Sequence, residues 1–113
     1  MTFREMHAFA LKQIDWYEKQ NTFARKQIDF CNRELKRTRK DDAELKTFAL
    51  ARDPDDRITR EVFGGKYVGQ ETRKYINERA RWYRDIKRNN SMIERYRKSA
   101  DRYAGLDPAS RAW

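Results

Sequence analysis

One cysteine, one histidine, two prolines and four glycines in 113 residues leave this chain few means of holding a metal, forming a disulfide or turning a corner. With Cys31 alone an intramolecular disulfide is excluded, and with His7 alone the His/Cys zinc sites lack ligands. Long apolar runs are missing as well. The longest, at 8–11 and 48–51, are four residues each, against the roughly 20 that a membrane span needs. The opening MTFREMHAFALKQ is interrupted by charge and has no small-residue cleavage site, so it does not read as a signal peptide. These absences fit a reducing cytoplasm and no membrane partner.

Catalytic constellations are equally scarce. None of the eighteen carboxylates falls in an apolar stretch that would raise its pKa, and no base stands ready to activate a nucleophile. The segment FGGKYVGQ at 63–70 has glycines and a lysine but lacks the Walker order, so it reads as a turn between helices. The expectation is a protein that is not an enzyme, with no cofactor, no metal and no small-molecule substrate.

What is present is charge and period. Charged residues make up 40% of the chain, hydrophobic ones only 38% and aromatics 13%. That combination suits long solvated helices over a thin core better than disorder, which is aromatic-poor. The net charge of +9 is uneven. Residues 2–40 carry ten Lys/Arg against five acids, residues 68–104 carry eleven against five, and the stretch between is mildly acidic.

Lys-Gln recurs at 12–13, 19–20 and 26–27, and KQID at 12–15 and 26–29, a seven-residue repeat. Placing Ile14, Asn21, Ile28 and Leu35 at heptad position a puts Phe3, Ala10, Tyr17, Ala24, Cys31, Thr38 and Leu45 at d. No Pro or Gly interrupts residues 1–53, so a helix over about 3–51 meets no breaker, although Asp41-Asp42 could restart it. A connection over about 52–68, with one or two helical turns in DDRITREVF, leads to a second helix over about 69–104 and a short tail, 105–113. The second seam runs Thr72, Tyr75, Arg79, Trp82, Ile86, Asn89, Ile93, Tyr96, Ala100 and Tyr103, and Gly105 before Leu106 and Pro108 marks its end.

The fold expected is a single all-α domain over 1–113, a long coiled-coil-like antiparallel hairpin completed to a four-helix bundle by dimerisation. Facing residue numbers should sum to about 118, setting Leu35 by Trp82, Tyr17 by Ala100, Asn21 by Tyr96 and Asp42 by Arg79. Cys31 reads as a small buried residue and His7 as a packed or half-exposed one.

A second stripe lies off the seam. Phe9, Trp16, Phe23 and Phe30 recur at position c, about 130° from the seam's middle, and Ile76 and Tyr83 fall at position e of the second helix. One partner helix should not cover both faces, so these six residues are the expected protein interface, towards a second copy or another protein. Basic runs with interleaved aromatics give the alternative, a nucleic-acid-binding hairpin using Lys36, Arg37, Arg39, Lys40, Arg81, Arg84, Lys87 and Arg88. The favoured reading is a small helical interaction module acting by surface occupation: an assembly factor, adaptor or inhibitor of the kind phages and mobile elements encode.

Overall fold

The two long stretches without a breaker are the two helices. The computed structural model describes residues 1–52 and 68–106, and within them the chain is an all-α antiparallel helical hairpin. Helix α1 runs Phe3–Arg52, 50 residues, and helix α2 runs Gln70–Ala104, 35 residues. The expected short helix near 55–63, the glycine pair Gly64-Gly65 and the tail beyond Leu106 lie outside the described residues.

The start of α1 and both ends of α2 are capped. At the start of α1 the Thr2 hydroxyl accepts from the Glu5 N–H (3.2 Å) while the Glu5 carboxylate accepts from the Thr2 N–H (3.2 Å) and hydroxyl (3.0 Å), a capping box. Helix α1 passes through Asp41 and Asp42 without restarting. At its far end α2 closes with the Leu106 N–H donating to the Tyr103 carbonyl at 3.2 Å.

The residues pack as two compact units, Met1–Lys26 with Trp82–Trp113, and Gln27–Arg81. In each, a stretch of α1 lies antiparallel to a stretch of α2. The first unit pairs Phe3 with Tyr103, Asn21 with Asn90 and Phe23 with Trp82. The second pairs Phe30 with Tyr75 and Arg37 with Glu71.

The seam is thin and made mostly of small side chains. Ala10, Asn21, Ala24, Asn89, Ile93 and Ala100 are buried in the first unit, and Ile28, Cys31, Leu35, Thr38 and Thr72 in the second. All lie in the expected a and d rows. Leu45, placed in the same row, is instead 52% exposed, so the packed seam ends before it.

The register differs from the one expected. Contacting residue numbers sum to between 105 (Phe9 with Tyr96) and 115 (Glu18 with Arg97), about a heptad below 118. Trp82 therefore meets Phe23, Tyr17 stacks near Tyr96 (6.1 Å between centroids), Asn21 reaches Asn90 and Arg79 donates to Asn32. A heptad repeat fixes which face is buried but leaves a slip of seven nearly degenerate. Isolated polar contacts choose among the slips. The Asn21 amide donates to Asn90 Oδ1 at 2.9 Å, while its own Oδ1 is buried without a hydrogen bond, so the pair specifies alignment at some cost in stability.

A stronger anchor lies in the second unit. Gly69 accepts the first helical bond of α2, from the Arg73 N–H, yet has no side chain with which to cap it. Asp42 of α1 supplies the missing acceptor: one carboxylate oxygen receives the Gly69 N–H (3.1 Å) and the Thr72 hydroxyl (2.6 Å). A Cβ at position 69 would stand 2.6 Å from the Asp42 carboxylate, so only glycine admits this close approach. Gly69→Ala and Asp42→Ala should each destabilise the protein by about 1–3 kcal/mol, through a displaced carboxylate in one case and a lost cap with an orphaned Thr72 hydroxyl in the other. Because both break one clasp, the double variant should cost clearly less than the sum of the singles; additive denaturation midpoints would refute the shared contact.

Candidate interaction surface

The small seam residues also determine where the aromatic stripe goes. Ala10, Ala24 and Ala100 are buried along the seam of the first unit, and position-c rings of α1 reach across one flank of it. In the first unit Phe9 meets Tyr96 edge-on at 6.2 Å between centroids and Phe23 meets Trp82 at 5.6 Å. In the second, Phe30 meets Tyr75 at 6.0 Å. The expectation that α2 could not touch this stripe is thus corrected: α2 covers one side of three of its rings.

Their other sides face water. Phe9 is 47% exposed, Trp16 and Phe23 52%, and Phe30 42%. Trp16 is the extreme case. The residue on α2 midway between the partners of Phe9 and Phe23 is Asn89, so the repeat offers it no ring, and Trp16 instead packs edge-on against its own neighbour Tyr17 at 4.8 Å. At one end of the stripe Met6, Phe9, Tyr96, Ser99 and Tyr103 line an apolar depression of about 260 Å³.

Ile76 and Tyr83 do not join this surface. Ile76 lines a groove with Arg39, Asp42, Lys46 and Thr72, on the flank opposite the Phe30–Tyr75 contact. In the first unit Tyr83, 54% exposed, shares its heptad position with Asn90 and Arg97, which reach Asn21 and Glu18 on the side of that unit's seam away from the Phe9–Tyr96 contact. Within each unit the expected interface residues thus divide between two faces, because positions c of α1 and e of α2 fall on opposite sides of an antiparallel seam.

The eight basic residues are all exposed, but they fall in different units: Lys36, Arg37, Arg39, Lys40 and Arg81 in the second, Arg84, Lys87 and Arg88 in the first. Arg37 donates to Glu71 of α2 at 2.7 Å and to Glu34 at 2.8 Å, with Asp41 at 3.4 Å. Hydrogen bonds to Glu34 and Glu71 raise its pKa further above the ordinary arginine value. Arg88 pairs with Asp85 at 3.5 Å.

On the polar flank of the first unit, Glu18, Asn21, Arg25, Asn90, Glu94 and Arg97 line a groove of about 630 Å³. Arg97 bridges it to Glu18 at 3.2 Å. Thr22 and Ile93 complete its lining, with the Thr22 hydroxyl donating to the Glu18 carbonyl at 3.1 Å. Cys31 is fully buried, and burial first, with Glu78 adding to it, pushes its thiol above the ordinary range, which suits a packing residue. Among the described residues no group of three or more His, Cys, Asp or Glu side chains is placed to hold a metal ion, and no helix is long and apolar enough to cross a membrane. No protein-family model, curated protein or solved structure matches the chain.

Proposed function

We propose that this chain is a non-enzymatic protein–protein interaction module that works by occupying a surface, its aromatic flank laid against a partner protein. The observation that carries the reading is Trp16, half exposed in a row with Phe9 and Phe23 on one face of a helix whose seam is already filled. A large ring left in water forgoes about 1.5–3 kcal/mol of burial. Several in line are the usual mark of an association surface. Assembly, adaptor and inhibitor roles all use such a surface, since none requires bond making.

The test is a photoreactive benzoylphenylalanine in place of Trp16, irradiated in cells that express the protein. Discrete protein adducts, lost when Phe9 and Phe23 are also changed to Ser, are expected. Nucleic-acid adducts at this position, or none of any kind, would overturn the proposal.

A further inference from the structure

We infer that the aromatic flank of the first unit docks an amphipathic helix from a different protein, one whose apolar face is bordered by acidic residues along both edges. This names the partner class of the surface proposed above and rests on that proposal.

The inference comes from what borders the rings. Lys12, Lys19 and Lys26 follow Phe9, Trp16 and Phe23 by three residues each, and all three are exposed. Three residues advance a helix by about 300°, so each lysine lies about 60° around α1 from its ring, on the side away from the seam. On α2, Arg88, Arg95 and Arg102 immediately precede the seam residues Asn89, Tyr96 and Tyr103, and these too are exposed. Ser99, which lines the depression beside Phe9, lies between the Tyr96/Tyr103 row and the Arg95/Arg102 row around the helix, which puts those arginines on the aromatic flank. The first unit therefore carries a trough of rings with a row of three cations on each side, both rows repeating every seven residues.

The same order recurs within the second unit. Arg33 follows Phe30 by three, Lys74 precedes Tyr75, and the Lys74 ammonium lies 5.6 Å from the Tyr75 ring centroid.

Period and charge select the occupant. Rings seven residues apart on a helix are spaced about 10.5 Å, the repeat of a second α-helix presenting its own heptads. Nucleotides rise about 3.4 Å each along a strand, so only about every third base could meet a ring, whereas every heptad of a partner helix meets one. The depression lined by Met6, Phe9 and Tyr103 is large enough to seat a Leu or Phe side chain from such a helix. Two copies of this chain laid stripe to stripe would set lysine and arginine rows against one another, whereas carboxylates at both edges of the partner would complement them. The acids already beside the rows do not neutralise them. Lys19 pairs with Asp15 at 2.9 Å and Arg88 with Asp85 at 3.5 Å, in both cases with the cation itself exposed and free to exchange partners.

The experiment titrates the full chain with two synthetic helices of about three heptads, identical in their Leu seams and differing only in Glu or Lys at the flanking positions. The Glu-edged helix should bind, and weaken about tenfold between low and high salt, while the Lys-edged one should not. The variant Lys12→Glu/Lys19→Glu/Lys26→Glu should lose about tenfold or more for the first peptide and gain affinity for the second. Equal binding of both peptides, no exchange of preference in the variant, or tighter binding of a thymidine single strand or of phosphatidylserine vesicles would overturn the inference. Protein adducts at position 16 without a preference for the Glu-edged helix would leave the interaction function standing and remove the acidic partner alone.

Discussion

Leu35→Ala should lower the stability of the protein by about 3 kcal/mol, and with it the melting temperature by more than about 10 °C. Leu35 is the largest of the fully buried side chains, and the buried residues of its unit include Cys31, Thr38 and Thr72, none large enough to fill the space it would leave. The loss combines the transfer energy of the missing methyl groups with a cavity that rigid helix backbones close only in part. Leu45→Ala is the control. It sits in the adjacent heptad row yet is 52% exposed, so its cost should stay below about 1 kcal/mol. Helicity at 222 nm followed through thermal unfolding measures both, and equal shifts would mean that the seam continues past Thr38.

Trp16→Gln should have the opposite profile, a large effect on association and almost none on folding. Glutamine is a good helix former, and no α2 ring packs on Trp16, so its removal costs the hairpin little. At a partner surface a central tryptophan contributes 2 kcal/mol or more, which makes the expected loss of affinity about 30-fold or greater. Phe23→Ala should differ from it, because Phe23 also packs edge-on against Trp82 within the fold. That substitution should reduce both the melting temperature and the binding. A Trp16→Gln protein that melts early but binds normally would place the ring in the core rather than at the interface.

The two substitutions separate what the sequence reveals from what it conceals. The face that is buried can be read from the amino acids alone, since Ile28, Cys31, Leu35 and Thr38 recur at heptad spacing and nothing breaks the helix around them. The alignment of the helices cannot, because a slip of seven keeps every seam residue on the seam. It is held instead by Asp42 against Gly69 and Thr72, a polar contact that a slip of seven would break. The reach of Phe9, Phe23 and Phe30 onto α2 was hidden for a related reason. A helical wheel gives angles but no distance between axes, and that distance follows from the Ala, Cys and Thr side chains of the seam. The division of Ile76 and Tyr83 from the stripe depends on which flanks face each other once the chain doubles back. The cation rows, by contrast, stand in plain view: the Lys of each Lys-Gln repeat is also the edge of the trough. Runs such as 36–40 draw the eye along the chain, whereas the rows appear only when residues are taken seven at a time.

In the free chain the aromatic flank faces water. Acrylamide quenching of Trp16 as the sole tryptophan, with Trp82 and Trp113 changed to Phe, measures this directly, with light scattering on the same sample to give its mass. A monomer whose Trp16 is quenched at close to half the rate of free tryptophan or faster, and shielded once the Glu-edged helix is added, is the expected result. A monomer in which Trp16 is already shielded would show that the stripe is covered from within the same chain, and would contradict the account.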